Sequence, residues 1–194
     1  MIAGHFGFAA AVKAKAPAVP LWALMLACQW LDVVFVPLFA SGVERLVPIE
    51  GVKEPGYGEV IIHADYTHSL VGAFVLAAIF GAVAALRYGK TSGLVLGSVV
   101  MSHWVLDLFM HRADMPLLPG DAGDLPRLGL GLWRSPTGSG ALELLFVLAG
   151  AYFYWQSARR VAAPVADQMK RANLCGALVL ASGVVVLVLN LLGV

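Results

Sequence analysis

Charge is scarce in this chain. Lys, Arg, Asp and Glu together make up 13% of its 194 residues, 60% are hydrophobic, and the mean hydropathy is +0.82. A soluble domain carries roughly 25% charged residues, so that class is excluded and the chain reads as an integral membrane protein. Cysteine is nearly absent too. Cys28 and Cys175 fall inside apolar stretches, where a thiol acts as a small hydrophobe, and nothing pairs them, so no disulfide framework is inferred. The formal net charge is only +1, and no basic run or aromatic-basic stripe offers a nucleic-acid surface. Internal repeats and low-complexity tails are missing. No basic residue precedes the apolar run that starts at Ile2, while Lys13 and Lys15 follow it; that order does not fit a cleaved signal peptide.

Long apolar runs are what the chain has in quantity. About 20 helical residues cross a hydrocarbon core, and Leu21–Ala40, Tyr66–Leu86, Ser92–Met110, Gly140–Trp155 and Leu174–Leu192 approach or meet that length. Tyr152, Tyr154 and Trp155, followed by Arg159 and Arg160, look like an interfacial belt. Gly42–Glu59 and Pro116–Gly140 carry the turn signals, the latter reading as a structured loop or re-entrant element. Its Gly129–Trp133 stretch is amphipathic enough for the interface. Lys13 and Lys15, Arg87 and Lys90, and Arg159, Arg160, Lys170 and Arg171 alternate along the chain so as to share one side, which the positive-inside rule makes cytoplasmic. The opposite loops are acidic. Ile2–Val12 then reads as part of a short or tilted first helix of about 22 Å. The expectation is an all-α integral membrane protein, one domain over 1–194. It has about six transmembrane or re-entrant helices in one bundle, and both termini are outside.

With that short first helix, all five histidines fall at one depth: His5, His63, His68, His103 and His111, with Asp32 and Asp107 close by. A charged side chain inside hydrocarbon costs roughly 2.5–3.5 kcal/mol even on lenient insertion scales, so such groups need partners or a function. His103, Asp107 and His111 are spaced i, i+4, i+8, on one helical face. Imidazole and carboxylate at this spacing suit zinc, and also manganese or iron; a buried His bonded to a neighbouring Asp is the blander alternative. His63 and His68 are five apart and converge only if one sits on the incoming loop, with Asp65 or Thr67 as helix cap; otherwise they are an interfacial pair. Asp32 needs a partner across helices, or serves as a proton-transfer group. Glu143 is a ligand, a general base, or a favourable charge near a helix N-terminus. Arg112 and Arg134 belong to the same outer face, as an anion clamp or as lipid-headgroup contacts. Three His and two Asp from four helices exceed one tetrahedral ion's needs, so one or two ions are expected.

The pattern resembles the YdjM-like family of bacterial inner-membrane metal-dependent hydrolases. The matching elements are Gly4-His5, Asp32 ending an early apolar helix, and His63 before Thr67-His68-Ser69-Leu70. Ser102-His103 with Asp107, the trailing Pro116–Gly120, and Glu143 opening the next helix complete the match. The likeness spans residue 4 to about residue 145. It departs from the family where QWLDVV supplies Asp32 alone instead of two aspartates, and where Ala64 and Asp65 stand for Arg and Gly. Asp65 or His111 is the candidate replacement for the missing carboxylate. The resemblance implies a zinc hydrolase of the bacterial inner membrane, distantly grouped with zinc-dependent phospholipase C. Its site faces the periplasm.

The leading expectation is therefore metal-activated water attacking a phosphoester or ester of a lipid or envelope precursor. His5, Asp32, His63, His68, His103 and Asp107 are the ligands and Glu143 or Asp65 the base. Arg112, Arg134 and His111 contact substrate, and membrane lipids are the partners. A permease or ion-handling protein using the same cluster, and a scaffold with a structural metal, are the alternatives. Oligomeric state is left open.

Overall fold

The computed structural model of the protein describes residues 1–49, 60–163 and 165–192. Seven helices form among them: α1 (Ile2–Lys15), α2 (Leu21–Cys28), α3 (Trp30–Ala40), α4 (Leu70–Tyr88), α5 (Lys90–Met110), α6 (Pro136–Ala162) and α7 (Ala166–Leu191). Four of them, α4 to α7, are long and apolar enough to cross a membrane, or five spans result if α2 and α3 count as one. Only 17% of the apolar stretch of α4 and of α7 is buried within the protein. Their outer faces are apolar, with Phe74, Val83, Leu86, Leu178 and Val185 exposed.

The expected continuous span Leu21–Ala40 is instead two helices meeting at 49°. In an unbroken helix the Cys28 carbonyl would accept from the Asp32 N–H; here it accepts from His103 Nδ1 at 2.6 Å. The interruption is thus compensated by a tertiary hydrogen bond, and Asp32 sits in the first turn of α3, just past it.

Part of the expected loop 42–59 is ordered as β1 (Arg45–Pro48), which pairs antiparallel with β2 (Val60–His63), Arg45 opposite His63 and Pro48 opposite Val60. Glu50, Glu54, Pro55 and Glu59 lie outside the described residues. The cap of α4 is neither Asp65 nor Thr67 but Ser69, whose Oγ accepts from Gly72 N–H at 3.1 Å. Thr67 is unavailable because its hydroxyl is bonded to Glu44 and His68. Ser135 caps α6 with Pro136 in the first turn. That start lies earlier than the expected Gly140, so Glu143 sits about two turns inside the helix.

α4 and α5 form a hairpin turning at Gly89, whose φ of 85° suits glycine. α1 has 14 residues, about 21 Å of helix, and lies mainly along α6. Their crossing is backbone on backbone, since a Cβ on Gly150 would fall on the Gly7 carbonyl and one on Gly7 on that of Phe146. The apolar core joins α1 to α5 around Leu24, Leu31, Leu96, Val99, Val100 and Trp104. Gly150→Leu is expected to drive α1 off α6 and to destabilise the fold by about 1–3 kcal/mol, the usual range for overpacking. Thermal melts in detergent check this, with Leu148→Ala on the exposed side as the unaffected control.

Candidate metal centre

His103 and Asp107 are one turn apart on α5 and both are buried. Their i, i+4 spacing brings His103 Nε2 to 3.1 Å from Asp107 Oδ2. His68, on the turn before α4, brings its Nε2 to 3.3 Å from His103 Nε2 and 3.7 Å from Asp107 Oδ2. Asp32, released by the α2–α3 break, puts Oδ1 at 3.5 Å from His68 Nε2 and 3.6 Å from His103 Nε2. Residues from three segments distant in sequence therefore bring their ligand atoms together around the His68 and His103 Nε2 atoms.

The opposite ring nitrogens decide what these atoms are. A carbonyl oxygen only accepts, so His103 Nδ1 carries the proton it gives to Cys28. The Thr67 hydroxyl donates to the Glu44 carboxylate, so at 2.9 Å it accepts from His68 Nδ1. In the neutral imidazole each Nε2 is then a bare lone pair. Two such lone pairs and two carboxylate oxygens lie close together, an arrangement that a cation among them would stabilise. Ligating histidines are oriented through the other nitrogen in just this manner.

Spacing also suits an ion. Bonds of about 2.0–2.2 Å put tetrahedral zinc ligands roughly 3.3–3.6 Å apart, and the His–His and His–carboxylate separations here run from 3.1 to 3.7 Å. The buried His/Asp cluster can hold a metal ion. Two overlapping triads meet the distance requirement, Asp32/His68/His103 and His5/His103/Asp107.

His5 reaches the cluster from α1. Its Nε2 lies 3.0 Å from Asp107 Oδ1 and its ring stacks on His103 at 3.9 Å. The Met1 amine lies 3.3 Å from the same Asp107 oxygen. The two oxygens of Asp107 thus look toward different groups, Oδ1 toward α1 and Oδ2 toward His68, His103 and His111. His111 stands just beyond α5, between Asp107 at 3.6 Å and Asp114 at 2.9 Å. Burial opposes a charge there, but hydrogen bonds to both carboxylates prevail and raise its pKa to about 9.

The other expected site residues are distributed around this centre. Glu143 is fully buried, accepts from Gly4 N–H at 3.1 Å through Oε2, and has no partner for Oε1 among the described residues. His63 ends β2, and its nearest charged group is Asp65 at 4.0 Å. Asp65 in turn lies 3.5 Å from Arg127. Neither His63 nor Asp65 belongs to the two triads. The five-residue separation does not make His63 and His68 converge, because the turn between them faces Glu44. Arg134 is exposed on the loop before α6, and Arg112 is half-buried directly after His111.

Two residues that support the centre are not recognisable by motif. Glu44 is fully buried and accepts from Tyr66 N–H, Thr67 N–H and the Thr67 hydroxyl. Asp114 is buried and holds both His111 Nδ1 and the Ile62 N–H. Only Asp114 left a trace in the sequence, three residues after His111; Glu44 is too far from His68 in the chain to show.

No family model matches the chain, and neither the curated proteins nor the solved structures contain a match.

If His68 is oriented through Thr67, Thr67→Val should weaken binding of zinc or cobalt about 10–100-fold, the usual penalty for losing such a support. Competition against a chromophoric chelator measures this. His63→Ala, outside the cluster, should leave the affinity unchanged.

Proposed function

We propose that the chain is a membrane-embedded zinc hydrolase of the YdjM-like kind, acting on a phosphoester or ester of a lipid or envelope precursor. The observation that carries this reading is that the Nε2 atoms of His68 and His103 face each other and the carboxylates of Asp32 and Asp107 at 3.1–3.7 Å, with both imidazoles protonated on the far nitrogen. A bound zinc would supply Lewis acidity and lower the pKa of a coordinated water.

The chain's own residues divide the remaining tasks. His68, His103 and Asp107 are buried, whereas the Asp32 side chain is 40% exposed. Catalytic zinc keeps three protein ligands and leaves the fourth position to water; His68, His103 and Asp107 would supply the three, and the half-exposed Asp32 carboxylate would flank the open position on the side from which substrate enters. His5 extends the ligand set through the second oxygen of Asp107. Glu143, with one oxygen held by Gly4 and the other without a partner among the described residues, takes the proton from water. Asp65, engaged by Arg127, is less suited to that role. His111, with Arg112 and Arg134 on nearby loops, faces the negative charge of a phosphoryl or acyl headgroup. The alternation of basic segments along the chain supports a site on the periplasmic side of a bacterial inner membrane.

Elemental analysis of the detergent-purified protein should find at least one zinc per chain. His103→Ala and Asp107→Asn should reduce it below about a tenth of an equivalent, the loss expected when a first ligand is removed, and abolish hydrolysis of phospholipid or ester substrates, with the helical content retained. Absence of stoichiometric transition metal in the wild type would overturn the reading.

A further inference from the structure

At the far end of the bundle, away from the His/Asp cluster, α1, α6 and α7 enclose a second polar feature. A cavity of about 370 Å³ opens between them, lined by Lys13, Tyr154, Ser157, Gln168 and Arg171 with an apolar wall that includes Val161 and Ala172. Its size falls in the range of small-ligand sites, about 300–1,000 Å³. The lining brings an ammonium, a guanidinium, an amide and two hydroxyls together, and it includes no carboxylate. Such a set of donors is complementary to an anion.

Lys13 is fixed in place. Its Nζ donates to the Pro17 carbonyl at 2.8 Å and the Val19 carbonyl at 2.7 Å, which ties down the turn after α1 and leaves one of its three N–H groups free of these bonds. The nearby charges reinforce the sign. Arg159 lies over the Trp155 ring, and the one acid in the first turn of α7, Asp167, is 3.6 Å from Lys170. The cavity therefore lies at the polar end of apolar helices, where basic pockets between spans take phosphate headgroups, and its apolar wall fits the start of an acyl chain.

We propose that this cavity is a binding site for an anionic phospholipid, with Lys13 and Arg171 on the phosphate and Tyr154, Ser157 and Gln168 donating to its oxygens. The occupant is a lipid rather than a soluble phosphate because the cavity combines the cations with the apolar wall of Val161 and Ala172. The site is separate from the candidate metal centre and does not depend on it.

The test is to titrate delipidated full-length protein in detergent with dioleoyl phosphatidylglycerol or dioleoyl phosphatidylcholine. Native mass spectrometry counts bound lipid, and thermal melts report stabilisation. Phosphatidylglycerol should bind and raise the Tm where phosphatidylcholine does not. Arg171→Gln should weaken binding about fivefold, the factor expected for one basic residue at an anionic surface, and Lys13→Gln with Arg171→Gln should weaken it further. Arg87→Gln, at the basic end of α4 outside the cavity, should have no effect. Because Lys13 also braces a turn, the single Arg171→Gln variant is decisive if the double variant does not fold. Equal binding of both lipids, or unaltered phosphatidylglycerol binding by Arg171→Gln, overturns the proposal. So does an equal shift with glycerol phosphate at matched concentration, which would reduce the site to a general anion pocket.

Discussion

The hydrogen bond from His103 Nδ1 to the carbonyl of Cys28 connects the helix break to the polar centre. Buried among apolar helices, neither group has water as an alternative partner, and each would be costly if left unsatisfied. Their pairing lets the α2–α3 segment bend without leaving an orphan carbonyl. It also sets the tautomer of His103 and keeps Asp32 in the first turn of α3, within reach of His68 and His103. The bend and the donor set are thus two consequences of one contact.

The remaining imidazoles are held on the same principle, by different means. Glu44 gathers the turn at Tyr66 and Thr67, and Thr67 passes that constraint to His68. Asp114 holds His111 while accepting from the backbone of β2. The hairpin, the turn before α4 and the loop after α5 therefore act as a polar frame around one end of an apolar bundle. The backbone-on-backbone crossing of α1 and α6 brings His5 to that frame and lets Glu143 accept from Gly4. A cluster supported from so many directions is preorganised, as a ligand set for an ion has to be.

The apolar spans were legible from composition, because hydrocarbon imposes a length and a polarity that few residues can violate. The helical reading of residues 2–12 was legible as well, from Lys13, Lys15 and the prolines that follow. The i, i+4 pair His103/Asp107 declared itself because both residues share one helix. Less could be read wherever a contact joins distant segments. The bend at Gln29 has no proline or glycine at its apex, and the donor to the Cys28 carbonyl lies 75 residues away. Glu44 looked like one more acidic loop residue, yet it is fully buried. His63 and Asp65 were expected at the depth of the cluster, yet neither belongs to its ligand triads.

The sequence by itself therefore determined a helical protein with several apolar spans, its basic segments alternating along the chain, and a set of histidines and aspartates too costly to bury without partners. Local periodicity and the solvent demands of hydrocarbon suffice for that. Only the tertiary structure decided which of those groups meet, which nitrogen of each imidazole faces inward, and which acids support from behind. Those choices depend on directional hydrogen bonds between residues far apart in the chain, and depth in the membrane, a one-dimensional quantity, cannot specify them.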